Sequence, residues 1–353
     1  LSLADLAAVG SVADVVPIAG ENRSIVRLGL ERLERSPRPG LSALMARARV
    51  DRDALKTDDI SFGLAPRINA LGRVGDPSVA ARLLLAADEQ TAEQLADELE
   101  AANRRRRELT VTAMAEARER LASTPDAPFS VIVGDWPIGV IGLVAGRLAE
   151  ESGRPALVLS SSVDPWRGSA RSAGGVDLAA AFGSCSDLFQ RFGGHPAAAG
   201  CHIEPSRLDE LRERLAAFVR AQPPVDARPT LSLDLVQSAD AADYVLLREL
   251  APLDGAGDAP PLIGIAGLAV NRVRAVNGGH TQLTLRRGRE VVDGIAFGRT
   301  DLAEQLMEGS EIDVVARLAS RTFAGLETLQ LEIRDVAPAG TLRAMRSSGA
   351  ETR

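Results

Sequence analysis

The segment from Phe129 to Ser160 reads FSVIVGDWPIGVIGLVAGRLAEESGRPALVLS, and it decides the class of fold. Residues 129–134 form an apolar, β-branched run that is typical of a buried strand. Residues 139–150 repeat apolar side chains at helical spacing, and residues 155–160 again form a strand pattern. A strand, a helix and a strand in this order predict a βαβ unit in an α/β domain.

The α/β pattern continues beyond this unit. The further elements that we expect are a strand near Trp166–Ser172, a helix from Asp177, a turn at Gly193-Gly194 and an amphipathic helix over residues 206–221. The proline-rich stretch QPPVDARP then marks a linker over residues 222–229. We therefore assign residues 126–222 to one α/β domain.

A long helix is predicted before this domain. Thr91 and Gln94 have the spacing of a capping box, and apolar residues follow at helical spacing. About thirty helical residues span about 45 Å, which suggests a rod that connects two domains. We assign residues 76–125 to connecting helices. The preceding segment, residues 57–75, contains four glycines or prolines and is predicted to be a loop with little regular structure.

Residues 230–340 change character, because short runs such as HTQLTLRRG and SEIDVVARL alternate apolar and polar side chains. This alternation, with regular turn signals between the runs, predicts a small β-barrel or sandwich. The tail, residues 341–353, is polar, and we expect it to be frayed.

The composition is that of a globular protein. The chain has 353 residues, enough for about two or three domains. Hydrophobic residues make up 45% and charged residues 25%, which excludes a disordered chain or a coiled coil. Two cysteines exclude a disulfide framework and a zinc cluster and favour a reducing cytoplasm. The net charge of −7 argues against a broadly basic surface for nucleic acid but leaves room for a local basic groove.

The stretch WRGSARSAGG could bind an anion. It places Ser169, Arg171 and Ser172 on a predicted strand that runs into a glycine-rich turn. Alternation puts Ser169 and Arg171 on one face, where hydroxyl, guanidinium and backbone N–H groups could meet an anion. The alternative is an exposed edge strand with a solvated polar face.

The stretch RFGGHPAAAGCH is a second candidate. Gly193 and Gly194 let the backbone approach a ligand, and His195 could then donate to it. The alternative is a histidine whose hydrogen bonds are satisfied within the turn. His202 follows a run of small residues, and we expect it in the core.

Arginines recur in two helical or loop segments. PRINALGR brings together Arg67, Asn69 and Arg73, which suit phosphate oxygens and base edges and suit equally a salt-bridge network at a domain junction. The run Asn103–Arg107 lies in the long helix. It is either a solvated face or a segment in which two arginines border a nucleic-acid groove.

Two further features leave alternatives open. Asp14 lies between small and β-branched residues, so we expect it to be at least half buried, as a ligand of Mg²⁺ or Mn²⁺ or as a cap of backbone N–H groups. Gly139, Gly142 and Gly146 follow a strand and open a helix. They could face an anion, but close packing of the helix on the sheet explains them better.

Taken in order, the motifs VGSVADVVPIAGENR, LAPRINALGRVG, WPIGVIGLVAGRL, RGSARSAGG and RFGGHPAAAG resemble those of the RecJ single-strand-specific exonucleases of the DHH phosphoesterase superfamily. The resemblance spans nearly the whole chain. It implies an α/β multidomain protein with the end of a DHH catalytic domain over residues 1–75 and a long connecting helix. A DHH-associated substrate-binding domain over 126–222 and a C-terminal OB-like β-barrel would follow.

The resemblance also implies roles for single residues. Asp14 matches the last metal-binding carboxylate of the catalytic domain, with Mn²⁺ or Mg²⁺ as the cofactor. Asn69 and Arg73 match residues near the path of the DNA. The residues that match substrate-binding motifs, where a 5′-phosphate is held, are Ser169, Arg171, Ser172, Gly193, Gly194 and His195. The implied reaction is 5′ to 3′ hydrolysis of single-stranded DNA in repair and recombination.

The implied partners are single-stranded DNA with a 5′-phosphate and a single-strand-binding protein or a helicase. We expect a monomer that binds no membrane. Two departures stand out: the sequence lacks the DxD and Asp-His-His motifs, and Pro137 stands where relatives often have histidine. We therefore expect an N-terminally truncated chain that is inactive alone. A non-catalytic single-strand-binding module and a phosphodiesterase of oligonucleotides or cyclic dinucleotides stay open as alternatives.

Overall fold

The computed structural model describes residues 2–35, 37–123, 126–222, 231–250, 253, 260–323 and 326–347. The chain divides into two compact units, Leu1–Val9 with Leu30–Pro229 and Gly10–Gly29 with Thr230–Arg353. We call them the first and the second unit. Among the residues that the structure describes, none of the helices combines the length and the apolar character needed to cross a membrane.

The helices and strands carry the following labels. The α-helices are α1 (Ala4–Ala13), α2 (Gly20–Arg35), α3 (Pro39–Ala48), α4 (Ala65–Ile68), α5 (Leu71–Val74), α6 (Ser78–Leu84), α7 (Glu89–Ala122), α8 (Ile138–Ser152), α9 (Leu178–Gly183), α10 (Leu208–Ala221), α11 (Tyr244–Leu250), α12 (Leu302–Gln305) and α13 (Thr341–Ser347). The strands are β1 (Ser130–Gly134), β2 (Ala156–Ser160), β3 (Trp166–Arg171), β4 (Phe189–His195), β5 (Ala198–Ile203), β6 (Leu235–Ser238), β7 (Ile263–Val276), β8 (His280–Arg287), β9 (Glu290–Ala296), β10 (Glu311–Phe323) and β11 (Leu326–Pro338).

The segment over residues 57–75 is largely helical, so the prediction of a loop is wrong. A π-helix spans Asp59–Leu64, and α4 and α5 follow it. Pro66 lies in the first turn of α4, where the helix needs no backbone N–H from it. Ile60 and Leu64 are fully buried, which holds these short helices in the core of the first unit.

The long helix α7 contains 34 residues and therefore spans about 50 Å. Asp88 is its N-cap and accepts a hydrogen bond from the N–H of Thr91 at 2.8 Å. The expected capping box that starts at Thr91 is therefore wrong, because Thr91 lies inside the first turn. Helices α3 and α6 contact α7, and so do α8 and β1. The predicted connecting helix is confirmed.

The first unit contains a mixed sheet in the order β1-β2-β3-β5-β4. Strands β1 and β2 are parallel with α8 between them, which confirms the predicted βαβ unit, and the other neighbours are antiparallel. Helices α7 and α8 pack on one face through side chains such as Val144 and Val158. Helices α9 and α10 pack on the other face through Phe182 and Leu211.

The two cysteines belong to the second of these cores. Cys185 follows α9 and Cys201 lies on β5, and both are free thiols. Burial raises the pKa of Cys185 to about 11 and that of Cys201 to about 12. Both side chains therefore act as small apolar groups that fill the core.

The second unit contains a closed five-stranded barrel. Strands β7, β8, β9, β11 and β10 are neighbours in this order, and β10 pairs with β7 to close the ring. β6 adds to β7 in parallel. Buried side chains such as Leu268, Leu283, Val314 and Leu331 fill the interior. The predicted OB-like barrel is confirmed.

The first residues of the predicted frayed tail form α13, so that prediction is wrong for Thr341–Ser347. Leu342 is only 4% exposed, and its N–H donates to Asp313 Oδ2 at 2.8 Å. Asp313 is itself buried and also accepts from the N–H of Gly267 at 3.0 Å. A buried carboxylate that accepts two backbone hydrogen bonds fixes α13 to the barrel. Residues 348–353 lie outside the described part of the chain.

Candidate nucleic-acid interface

Three antiparallel strands of the first unit build a polar face beside α8. Side chains alternate along each strand, so every second residue points to this face. The register gives three rows across β3, β5 and β4: Arg167–His202–Arg191, Ser169–Gly200–Gly193 and Arg171–Ala198–His195. The middle row has almost no side-chain volume. Its backbone is therefore open to a ligand, with charged or polar rows above and below it.

A cavity of about 510 Å³ lies over this face, and we call it the strand-face cavity. Its lining residues come from α5, α8 and the three strands: Gly72, Arg73, Ile138, Gly139, Ile141, Gly142, Arg167, Gly168, Ser169, Arg171, Arg191, Phe192, Gly193, Gly200, Cys201 and His202. This lining includes four arginines and neither aspartate nor glutamate. The cavity is therefore suited to an anion.

The glycines of α8 make room for the backbone of Arg73 and for the side chains of Ser169 and Arg171. A Cβ on Gly139 would lie 1.9 Å from the carbonyl oxygen of Arg73. A Cβ on Gly142 would lie 3.1 Å from Ser169 Oγ and 3.2 Å from Arg171 Nη2. These distances support close packing as the reason for glycine in α8. The packed neighbours are themselves residues of the cavity.

Arg171 is half buried in the strand-face cavity, whose lining has no carboxylate. Its Nη1 donates to Ser169 Oγ at 3.0 Å and to the carbonyl of Ala170 at 2.8 Å, and both acceptors are neutral. Burial lowers the pKa of Arg171, and the nearby charge of Arg73 lowers it further. Arg73 Nη1 in turn donates to the carbonyl of Gly139 at 3.2 Å. A bound anion would relieve the cost of burying one guanidinium beside another.

Three of the predicted site residues lie next to the strand-face cavity and not in its lining. Ser172 Oγ donates to the carbonyl of Val176 at 2.5 Å and so holds the turn after β3. Gly194 has a φ of +155°, and a Cβ there would lie 2.4 Å from the carbonyl oxygen of Ala198. His195 is exposed in the outer row of the face. Their roles toward a substrate stay predictions.

The motif PRINALGR contributes one arginine to a salt-bridge network and another to the strand-face cavity. Arg67 Nε donates to Glu100 Oε2 at 2.5 Å, and its Nη1 donates to the carbonyl of Gly63 at 2.7 Å. Arg67 is thus part of a salt-bridge network between α4 and α7. Arg73 lines the strand-face cavity, whereas Asn69 is exposed at the end of α4 and lies outside the lining.

Sequence reasoning missed three arginine or histidine side chains of this cavity. Arg167 could have been found, because it precedes Ser169 by two residues on the same strand and therefore shares its face. Arg191 and His202 join it only through the register of β4 and β5. The prediction that His202 lies in the core is wrong, because Cys201 takes the core position and the next side chain points to the opposite face.

The predicted metal ligand does not form a metal site. Asp14 is exposed just after α1, next to Val15, which is 87% exposed, so the expected burial of Asp14 is wrong. In the part of the chain that the structure describes, no three histidine, cysteine, aspartate or glutamate residues lie close enough to hold a metal ion. A two-metal site needs several carboxylates. The described residues therefore do not fit the two metal ions of the phosphodiester hydrolysis that the sequence resemblance implies.

The start of α8 is held by an aromatic contact. Trp136 is buried, and its Nε1 donates to Glu116 Oε2 on α7 at 2.9 Å. The guanidinium carbon of Arg120 lies 5.0 Å from the centre of the Trp136 ring. Pro137 then takes the N-cap position of α8. These contacts fix the end of α8 that borders the strand-face cavity.

Comparison with known proteins agrees with this architecture. The DHHA1 domain model matches residues 126–221, and the RecJ OB domain model matches residues 233–335. The chain is 32% identical over 344 residues to the single-stranded-DNA-specific exonuclease RecJ of Bacillus subtilis (strain 168), with 95% of this chain and 44% of that protein covered. Crystal structures of RecJ from Thermus thermophilus in complex with Mg²⁺ and with Mn²⁺ resemble it with a TM-score of 0.80 at 31% identity.

These two structures cover 96% of this chain, which in turn covers 53% and 50% of theirs. The chain thus spans about half the length of the RecJ proteins that it matches. Within that span, the long helix, the mixed sheet and the barrel all correspond, and the two domain models match in the order found here. The chain is therefore a homologue of the RecJ single-stranded-DNA exonucleases that contains a DHHA1 domain and a RecJ OB domain.

Proposed function

We propose that this chain is the substrate-binding part of a 5′ to 3′ single-stranded-DNA exonuclease, and that the strand-face cavity binds the 5′-terminal phosphate. The observation that supports this is the half-buried Arg171, which lies beside Arg73 over a floor of small residues in a lining without carboxylates. A terminal phosphate carries up to two negative charges and three acceptor oxygens. It can therefore engage more guanidinium and backbone N–H groups than an internal phosphate can.

In this proposal five residues of the cavity bind the phosphate. Arg171 and Arg73 neutralise the phosphate, Ser169 donates a hydroxyl hydrogen bond, and Gly200 and Gly193 let the phosphate approach the backbone. Holding the end of the strand sets which phosphodiester bond is cleaved, and it gives the enzyme its polarity. We place this activity in cytoplasmic DNA repair and recombination, with a single-strand-binding protein or a helicase as partner.

The first expected result is a preference for the 5′-phosphate. The chain should bind a 5′-phosphorylated thymidine decamer about tenfold more tightly than the 5′-hydroxyl decamer, because a hydrogen bond between charged groups contributes about 1.5–3 kcal/mol. Arg171→Ala should remove this preference. Fluorescence anisotropy with a 3′ label measures both affinities, and Arg104→Ala, an exposed arginine of α7 outside the cavity, is the control. Equal affinities of the unaltered chain for the two decamers would contradict the proposal.

The second expected result concerns hydrolysis. This 353-residue chain should release no nucleotides from the decamer in Mn²⁺ or Mg²⁺, because its described residues offer no cluster of metal ligands. Quantifying acid-soluble product after long incubation tests this, with binding of the same preparation as the control for folding. Release that depends on Mn²⁺ and stops with a chelator would show that the chain does form a metal site.

A further inference from the structure

A second cavity, of about 470 Å³, lies between α7 and α8, and we call it the helix-side cavity. Its lining includes the side chains of Arg106, Arg107, Arg147 and Arg171. Among its lining residues, all of which the structure describes, Glu150 alone has a carboxylate. Four guanidinium groups against one carboxylate give this cavity a strongly positive potential.

Two arginines of this cavity, Arg106 and Arg147, are not neutralised by a carboxylate among the described residues. Arg106 Nε is buried and has no hydrogen-bond partner within the described residues, while its Nη2 donates to Asn103 Oδ1 at 2.9 Å. Neither Arg106 nor Arg147 forms an ion pair in the described part of the chain. Burial lowers the pKa of Arg106, and the charges of Arg73, Arg107 and Arg147 lower it further. An anion in the cavity would satisfy the buried N–H and offset this repulsion.

Only part of the arginine run in α7 lines this cavity. Arg106 and Arg107 line it, whereas Arg104 and Arg105 are exposed and lie outside both cavities. The interpretation in which two of these arginines border a nucleic-acid groove is therefore the one that the geometry favours. Glu100, at 3.6 Å, pairs with Arg107 and leaves the neighbouring guanidinium of Arg106 to the cavity.

We propose that the helix-side cavity is a second phosphate subsite, which binds an internal phosphate of the strand whose 5′-terminal phosphate occupies the strand-face cavity. This inference rests on the proposed function. Gly142 and Arg171 line both cavities, so phosphates bound in the two cavities would be close neighbours along one strand. Arg106 and Arg147 would donate to the internal phosphate, and Arg171 would lie between the two phosphates.

The test compares the affinity for a mononucleotide, which has one phosphate, with the affinity for an oligonucleotide, which has many. Arg147→Gln removes the charge of an exposed side chain and so leaves the core intact. This variant should bind the 5′-phosphorylated thymidine decamer about tenfold more weakly, yet bind thymidine 5′-monophosphate within about twofold of the unaltered chain. The slope of log affinity against log salt for the decamer should fall by about 0.7, the value for one phosphate contact with a single strand. Arg105→Gln on the same helix is the matched control and should change neither affinity.

Three other outcomes would each overturn one or both proposals. If Arg147→Gln weakens the monophosphate as much as the decamer, the cavity takes a free phosphate, and the second subsite is refuted. If the decamer affinity does not change while Arg171→Ala still removes the 5′-phosphate preference, the second subsite fails and the proposed function stands. If the unaltered chain binds neither the decamer nor the monophosphate, both proposals fail.

Discussion

Replacing Gly139 with alanine is expected to lower the free energy of unfolding of the first unit by about 1–3 kcal/mol. The added Cβ would lie 1.9 Å from the carbonyl oxygen and 2.6 Å from the carbonyl carbon of Arg73. Both are backbone atoms, so no side-chain rotation can relieve the overlap. Helix α5 must move away from α8, and Arg73 must move with it. The variant should therefore also lose affinity for a 5′-phosphorylated oligonucleotide.

Urea denaturation followed by tryptophan fluorescence measures this effect. The two tryptophans of the chain, Trp136 and Trp166, lie in the first unit and report on it. Gly146→Ala is the matched control on the same helix, because its nearest neighbour, Arg171 Cγ, would lie 3.9 Å from the new Cβ. That control should gain about 0.5–1 kcal/mol, since alanine favours a helix over glycine. A Gly139→Ala chain as stable as the control would show that α5 and α8 are not in contact.

Replacing Gly200 with valine is expected to separate binding from folding. A Cβ at this position would contact the carbonyl oxygen of Gly168 at 3.6 Å, an ordinary distance, and valine is favoured in strands. Stability should therefore change by no more than about 0.5 kcal/mol. The new side chain would fill the middle row of the face between Ser169 and Gly193, where the phosphate is proposed to lie. Affinity for the 5′-phosphorylated decamer should fall at least tenfold, about 1.4 kcal/mol.

The 5′-hydroxyl decamer is the internal comparison for this variant. Its weaker binding should be nearly unchanged, so that the difference between the two decamers disappears. Gly200→Ala should give an intermediate loss, because a single methyl group fills less of the floor. Full retention of the 5′-phosphate preference in the valine variant would mean that the phosphate does not approach β5.

The main elements of the fold could be predicted because their patterns are local. The apolar run at 129–134 and the helical spacing at 139–150 each decide one element, and short-range alternation decides the barrel strands. The loop prediction for residues 57–75 is wrong for a physical reason. Four glycines or prolines indicate a loop there, yet Pro66 fits the first turn of a helix, and burial of Leu64 stabilises this segment more than its glycines weaken it.

The site could be predicted only in part, from residues on one strand and from the motif that contains Arg73. Ser169 and Arg171 share a face by alternation, and Gly193 was found as part of a glycine pair. The row that joins Arg167 to Arg191 through His202 depends on β5 lying between β3 and β4, which no local pattern specifies. The helix-side cavity depends likewise on the packing of α7 against α8.

Because Cys185 and Cys201 are buried, the rate at which each is alkylated reports how often the α/β domain opens. Only the thiolate reacts with an alkylating reagent, and at neutral pH both pKa values keep these groups protonated. Labelling then requires an opening that exposes the sulfur to water, so its rate follows the frequency of that event. Because the chain has no other cysteine, the barrel contributes no signal. The same experiment with DNA present measures how much a bound strand slows the opening of the domain that holds it.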